Sequence, residues 1–202
     1  MWTWAATWAL SCRWTRLRLT AALRMARELF PAEYVAVVQG GRQENAGLLE
    51  QAFDFIFFTG SPSVGRLVME KASAHLTPVS LELGGKSPVI VDETADIALT
   101  ARRLAWGKYL NAGQTCVAPD YVLVHQSREQ QLVEALVAEI RRMYSSAPLA
   151  SPDLPKIINQ RHFERLVGLL GSGVISHGGQ IDPSARKIAP TVLTDVTWDS
   201  PI

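Results

Sequence analysis

Residues 53–85, FDFIFFTGSPSVGRLVMEKASAHLTPVSLELGG, limit the folds open to this chain more than any other stretch. An aromatic and β-branched run over 53–58 stops at Thr59-Gly60. A helical period follows over 61–75. Ser61 suits its N-cap, and Pro62 suits the first helical position, where an N–H has no partner to lose. Val64, Leu67, Val68 and Ala72 recur at helical spacing and predict one inward face. An apolar strand over 78–83 then runs into Gly84-Gly85. Upstream, the Tyr34–Val38 run reads as a strand closed by Gly40-Gly41, and 44–52 as a short helix. Strands separated by helices return to the sheet through crossovers, which make them parallel. The expected class is α/β, a parallel sheet with crossover helices.

The pattern continues beyond Gly85. A short strand is expected over 88–91 and a helix over 96–110, with Ile97, Ala101, Leu104 and Ala105 turned inward. Another strand follows over 121–125. A helix over 128–144 carries the stripe Leu132, Val133, Leu136, Val137 and Ile140, and Ser127 and Gln130 stand in capping-box spacing before it. The loop 146–155 breaks the pattern. A shorter helix over 162–170 is stopped by Gly171 and Gly173, and 188–193 reads as a late strand. No linker rich in Pro, Gly or Ser divides the chain, and no internal repeat appears.

Of the 202 residues, 48% are apolar and 19% charged, with a formal net charge of +1. That balance supports a buried core. It excludes a disordered chain and a general nucleic-acid binder, which would be far more basic. Cys12 and Cys116 are the two cysteines, so a disulfide scaffold is not expected and a reducing compartment, the cytoplasm, is. His75, His125, His162 and His177 show no ligand spacing, and no metal site is expected.

The first thirty residues differ in character. Trp2, Trp4, Trp8 and Trp14 crowd there with Arg13, Arg16, Arg18, Arg24 and Arg27, and no acid appears before Glu28. Residues 1–30 are therefore set apart as an atypical segment foreign to the fold. A mitochondrial transit peptide is the alternative. The apolar run 4–10 is too short to span a bilayer, so no transmembrane segment is expected.

Three places carry chemistry. At FFTGSPSVG, a strand ends, Gly60 permits a tight turn and a helix begins by Gly65. The free N–H groups and the positive dipole end of such a helix favour a phosphate. The spacing is neither the GxGxxG fingerprint nor a P-loop, and a plain connector would look the same. At LELGGK, Glu82 stands on an apolar strand before two glycines. Desolvation there would raise its pKa toward general-base range; the solvated face of an alternating strand is the other reading. At NAGQTCVAPD, Cys116 lies among small polar residues that leave room for a substrate, and turn N–H groups could hold an oxyanion. An isolated cysteine is as often a spectator. Together the three suit a thiol-dependent oxidoreductase that hydrolyses a thioester.

FFTGSPSVG, HLTPVSLELGGKSP, NAGQTCVAPDYVL and IAPTVLTDV, taken together, resemble the aldehyde dehydrogenase superfamily. HLTP before LELGGK and the CVAPDY stretch resemble its class 3 branch, which includes fatty aldehyde dehydrogenases. The resemblance runs from about residue 30 to the end. It implies a Rossmann-like sheet followed by part of a second α/β catalytic domain, with a partial dinucleotide-binding domain over 31–81 and a partial catalytic domain over 82–202. By position it implies Cys116 as nucleophile and Glu82 as general base. It implies Gly60, Ser61, Pro62, Ser63, Val64 and Gly65 as the cofactor loop, and Gly84 beside the nicotinamide. It implies NAD, or NADP, as cofactor, an aldehyde oxidised to a carboxylate, and a homodimer for the full-length enzyme.

The family's Pro-Trp-Asn, Lys-Pro-Ser-Glu and Glu-Glu-Ile-Phe-Gly-Pro motifs are not found in this sequence. The expectation is thus a central piece of a longer enzyme, truncated at both ends, that turns over weakly or not at all by itself. Two rivals follow: a non-catalytic form that associates with a full-length relative through exposed sheet edges, and an acylating dehydrogenase that passes the acyl group to coenzyme A. Glu82 favours hydrolysis over the latter.

Overall fold

A computed structural model of the chain describes residues 4–7 and 13–202. Cys12 lies outside the described residues. The chain divides into two compact units, Met1–Gly84 and Gly85–Ile202.

The first unit carries β1 (Trp4–Thr7), α1 (Arg13–Leu29), α2 (Arg42–Leu49), β2 (Phe55–Thr59), α3 (Pro62–Ser73) and β3 (Val79–Glu82). The sheet order is β1-β2-β3, all parallel, with Ile56 opposite Val79 and Thr59 opposite Glu82. Alternation along β2 buries Ile56 and Phe58, and α3 packs on them through Val68 and Ala72. Gly65 lies at this contact. A Cβ there would stand 3.0 Å from Leu83 Cδ2 and 3.5 Å from Leu81 Cδ1, so glycine lets the helix approach the strand closely. Ser61 caps α3 as expected, its hydroxyl accepting from Val64 N–H.

Two expectations fail in this unit. The run Tyr34–Val38 forms no strand and is exposed, Tyr34 at 75%; β1 pairs with β2 instead. Strand propensity describes fit to a neighbouring strand, and this run has no such neighbour among the described residues. Val64 and Leu67 are exposed, so the inward face of α3 is the narrower set Gly65, Val68 and Ala72. Residues 1–30, set apart by their composition, contribute a paired strand and a helix.

Thr77 is a buried polar residue of this unit. Its hydroxyl donates to Phe53 O at 2.7 Å. Thr77→Val keeps the shape and leaves that carbonyl without its donor, an expected loss of about 1–3 kcal/mol. Urea unfolding followed by far-UV circular dichroism checks it; an unchanged midpoint would mean that water replaces the bond.

The second unit carries β4 (Ser87–Val91), α4 (Ile97–Tyr109), β5 (Pro119–Val124), α5 (Glu129–Tyr144), α6 (Gln160–Leu169) and four short strands, β6 (Val174–His177), β7 (Ile181–Asp182), β8 (Lys187–Ile188) and β9 (Val192–Thr194). β4 and β5 pair in parallel, while β6 with β9 and β7 with β8 pair antiparallel. Asp96 caps α4, accepting from Leu99 N–H at 3.0 Å, and Asn159 caps α6, accepting from His162 N–H at 2.9 Å.

The core joins Val91, Ile97, Ala101, Leu104, Ala105 and Tyr109 to Leu132, Leu136, Ile140 and Tyr144. Ala101 and Ala105 are both 0% exposed; their small side chains let the bulky residues of α5 fill the space beside α4. Tyr144 Oη donates to Tyr109 O and Tyr109 Oη to Thr191 O, each at 3.1 Å. Burial pushes the Tyr109 phenol far up.

The capping box does not form. Ser127 Oγ stands 2.8 Å from His125 Nδ1, and a 3-10 turn over Gln126–Arg128 leads into α5 without a side-chain cap. The single strand expected over 188–193 is split around Pro190, which has no N–H to give a ladder. Its two ends, β8 and β9, pair with different strands, β7 and β6, which sequence patterning did not foresee.

Candidate active site

Cys116 is exposed, in a turn between the end of α4 and the start of β5. The chain reaches it through three successive left-handed residues, Asn111 (φ 54°), Ala112 (φ 53°) and Gly113 (φ 74°). For Asn111 and Ala112 that conformation costs about 1–2 kcal/mol each, so their surroundings must hold it. Asn111 Nδ2 donates to Gln114 O at 3.2 Å, and Gln114 Nε2 donates to Asn111 O at 3.1 Å and Lys156 O at 3.2 Å. Ile158 N–H donates to Gln114 Oε1 at 2.9 Å. Gln114 thus spends both ends of its amide fixing the loop. Ala118, buried, closes the turn by donating to Thr115 O at 3.1 Å. None of the described loop hydrogen bonds engages the N–H groups of Cys116 and Val117, the donors an oxyanion on Cys116 would need.

Gly85 lies against this turn, where a Cβ would stand 2.8 Å from Cys116 O. Backbone must move to admit it. Gly85→Ala is expected to displace the turn and cut the rate of Cys116 acylation by at least ~10-fold, since small misplacements cost ~100-fold. The measurement is the cofactor-free burst of nitrophenolate from p-nitrophenyl acetate; an unaltered burst would show that the turn absorbs the methyl group.

Sequence reasoning missed an ion cluster beside the loop. Asp120 Oδ2 pairs with Lys86, and Asp120 Oδ1 with Lys108 at 3.3 Å. Burial pushes the Asp120 carboxyl up, but Lys86 and Lys108 outweigh it and hold the pKa below the usual carboxylate range. Residues at positions 86, 108 and 120 share no spacing, and only the fold brings them together.

In the first unit, Gly60 N–H donates to Glu82 O at 2.9 Å, tying the turn after β2 to the end of β3. A Cβ on Gly60 would collide with the Phe58 ring. Gly60, Ser61, Pro62, Ser63 and Val64 are exposed around the N-terminus of α3, with the Ser61 and Ser63 hydroxyls 3.0 Å apart. Two hydroxyls at the positive end of a helix dipole form a donor set that fits the pyrophosphate of a dinucleotide. Gly65 stands apart from them, buried in the helix–strand contact. Gly84 is exposed, and a Cβ there would meet nothing within 4 Å.

Glu82 is exposed at the end of β3. Of the two sequence readings the structure takes the solvated one. Also among these, no group of three or more His, Cys, Asp or Glu side chains could hold a metal, and no helix is long and apolar enough to cross a membrane.

An exposed loop thiol and an anion-fitting strand–helix turn, each on a parallel α/β scaffold, mark a thiol-bearing protein of the α/β class. The chain belongs to the aldehyde dehydrogenase family: the family-wide sequence profile matches residues 11–202. That match begins well before residue 30 and takes in α1. Among curated relatives, mouse "Aldehyde dehydrogenase family 3 member B3" is 56% identical over 167 residues, 83% of this chain and 35% of that protein. The "4,4'-diaponeurosporen-aldehyde dehydrogenase" of Staphylococcus aureus is 48% identical over 181 residues, 89% of this chain and 39% of that protein.

Among solved structures, "Substrate bound state of Staphylococcus Aureus AldH" superposes with TM-score 0.82 at 47% identity, covering 90% of this chain and 40% of that one. A Mycobacterium tuberculosis aldehyde dehydrogenase complexed with NAD+ gives TM-score 0.78 at 29% identity, covering 92% of this chain and 41% of that one. The chain spans little more than a third of the length of these curated relatives. Family 3 members are prominent among them, as the class 3 resemblance implied.

Proposed function

We propose that Cys116 is the nucleophile and Glu82 the water-activating base of an NAD(P)-dependent oxidation of aldehydes to carboxylates. The observation that carries this reading is the setting of Cys116: an exposed thiol in a tied-down turn whose own N–H groups are left to a ligand. The Cys116 thiolate would add to the aldehyde carbon to give a thiohemiacetal, and would later carry the acyl group as a thioester. NAD, or NADP, would supply the hydride acceptor that separates the two states. The Cys116 and Val117 N–H groups would hold the oxyanion. Glu82 would take a proton from water, whose oxygen joins the acyl carbon as the thiolate leaves. Ser61 and Ser63, at the start of α3, would hold the cofactor's phosphates.

A homodimer is proposed for the full-length enzyme, and the cytoplasm as the setting, supported by the chain's having two cysteines. The 202-residue chain alone is proposed to turn over slowly. The exposed Glu82 supports this, since none of the described hydrogen bonds orients its carboxylate. The test is NADH formation from a medium-chain aldehyde. Slow formation that disappears in Cys116→Ser supports the reading, and equal formation by both proteins contradicts it.

A further inference from the structure

We propose that Asp120 is a positioning residue for the Cys116 loop, acting through Lys86 and Lys108; this rests on the reading of Cys116 as a nucleophile. Pairing between β4 and β5 sets Ser87 opposite Pro119 and Pro88 opposite Tyr121, so Asp120 is the extra residue of a β-bulge. Bulges between parallel strands are rare, and near functional sites they re-aim a side chain. The side chain carried here is a carboxylate, 24% exposed, with Lys86 on one oxygen and Lys108 on the other.

The two lysines belong to the segments that bracket the thiol. Lys86 follows Gly85, whose missing Cβ is what lets it lie against Cys116 O. Lys108 is in the last turn of α4, and its chain runs beneath the left-handed bend: a Cβ on Gly113 would stand 3.2 Å from Lys108 O and 3.4 Å from Lys108 Cε. One carboxylate therefore ties together the strand entry at β4, the end of α4 and the start of β5. Cys116 sits between the last two. Strained backbone such as Asn111-Ala112 persists only where its surroundings over-determine it, and Asp120 is the ionic part of that restraint.

A surface ion pair would matter little to the chemistry. A positioning residue must matter to one kind of reaction at Cys116 and not to another. Acylation by p-nitrophenyl acetate forms an S–acyl bond through a tetrahedral oxyanion, expels nitrophenolate, and so depends on the turn's N–H groups. Alkylation by iodoacetamide displaces iodide, forms no oxyanion and needs only the thiolate. Cys116→Ser subtracts the background, and peptide mass spectrometry separates Cys116 from Cys12.

For Asp120→Asn the expected result is an acylation rate at least ~10-fold lower, short of the ~100-fold cost of losing an oxyanion donor outright. Alkylation of the Cys116 peptide at the same pH should change less than twofold. That same alkylation, with an unchanged thermal unfolding curve, shows the variant to be folded. Lys108→Met should reproduce the loss, and Asp120→Glu should recover part of it. Equal falls in both reactions, or no fall in acylation in either variant, would overturn the proposal. If Cys116→Ser is acylated as fast as the parent chain, the nucleophile reading fails, and the positioning role falls with it.

Discussion

Cys116→Ser is expected to lower aldehyde-dependent NADH formation, and the cofactor-free burst from p-nitrophenyl acetate, by ~1000-fold or more, as removal of a nucleophile does in other enzymes. The reason is nucleophilicity. A thiol is intrinsically a strong nucleophile, whereas a serine hydroxyl needs an adjacent general base to become one. No described hydrogen bond gives the Cys116 side chain such a partner. The same substitution should barely touch stability. The side chain is exposed, and surface replacements usually fall within ~0.5 kcal/mol. Loss of chemistry with an unchanged unfolding curve is the combined signature. A spectator thiol would change neither, and a structural one would change both.

Ile140→Ala is expected to have the largest effect on the second unit. Ile140 is 1% exposed, in the C-terminal half of α5, and belongs to the core that holds α4 against it. Removing three buried carbons loses their transfer free energy and leaves a cavity, together about 2–5 kcal/mol. Relief by collapse is limited. Ala101 and Ala105 belong to the same core, and their side chains are too short to fill the space. Native stabilities run to about 5–15 kcal/mol, so the loss is a large share of what holds this unit. With a urea slope of about 1–3 kcal/mol per molar, the midpoint should fall by ~0.7 M or more. The slope should stay the same, because the unfolded chain exposes nearly the same surface. A shift of a few tenths molar would mean that α5 repacks. Since α4 leads into the Cys116 loop, this variant should also acylate more slowly at urea concentrations where the parent is still folded.

Helices were the most legible part of the chain. Ile97, Ala101, Leu104 and Ala105 on α4, and Leu132, Leu136 and Ile140 on α5, are buried as their spacing implied, because a 3.6-residue period has one solution in a two-layer fold. Strands were less so. Tyr34–Val38 has the composition of a strand and is not one, while His177, Ile181 and Lys187 lie in strands whose composition is ordinary. A strand is stabilised by its neighbour, and the neighbour is not written in the strand.

The candidate site divides the same way. Cys116 stood out because small polar residues surround it, and the α3 cap at Ser61 because Pro62 follows it. Glu82 is exposed, as the alternation of Leu81, Glu82 and Leu83 allowed. Asp120, Lys86 and Lys108 were invisible because a bulge and the end of a helix bring them together. Gly85 and Gly113 sit where a methyl group would press on backbone, at Cys116 O and Lys108 O respectively.

Where the acyl group goes decides whether Cys116 is the nucleophile. Glu82→Gln removes the proposed base and should slow release of the acyl group from the thiol. Mixed with a medium-chain aldehyde and NAD, quenched in acid and digested, this variant should carry the acyl mass on the peptide containing Cys116 and not on that containing Cys12. NADH formed with Cys116 left unmodified, or an acyl group found on Cys12, would contradict the assignment of Cys116 as the nucleophile.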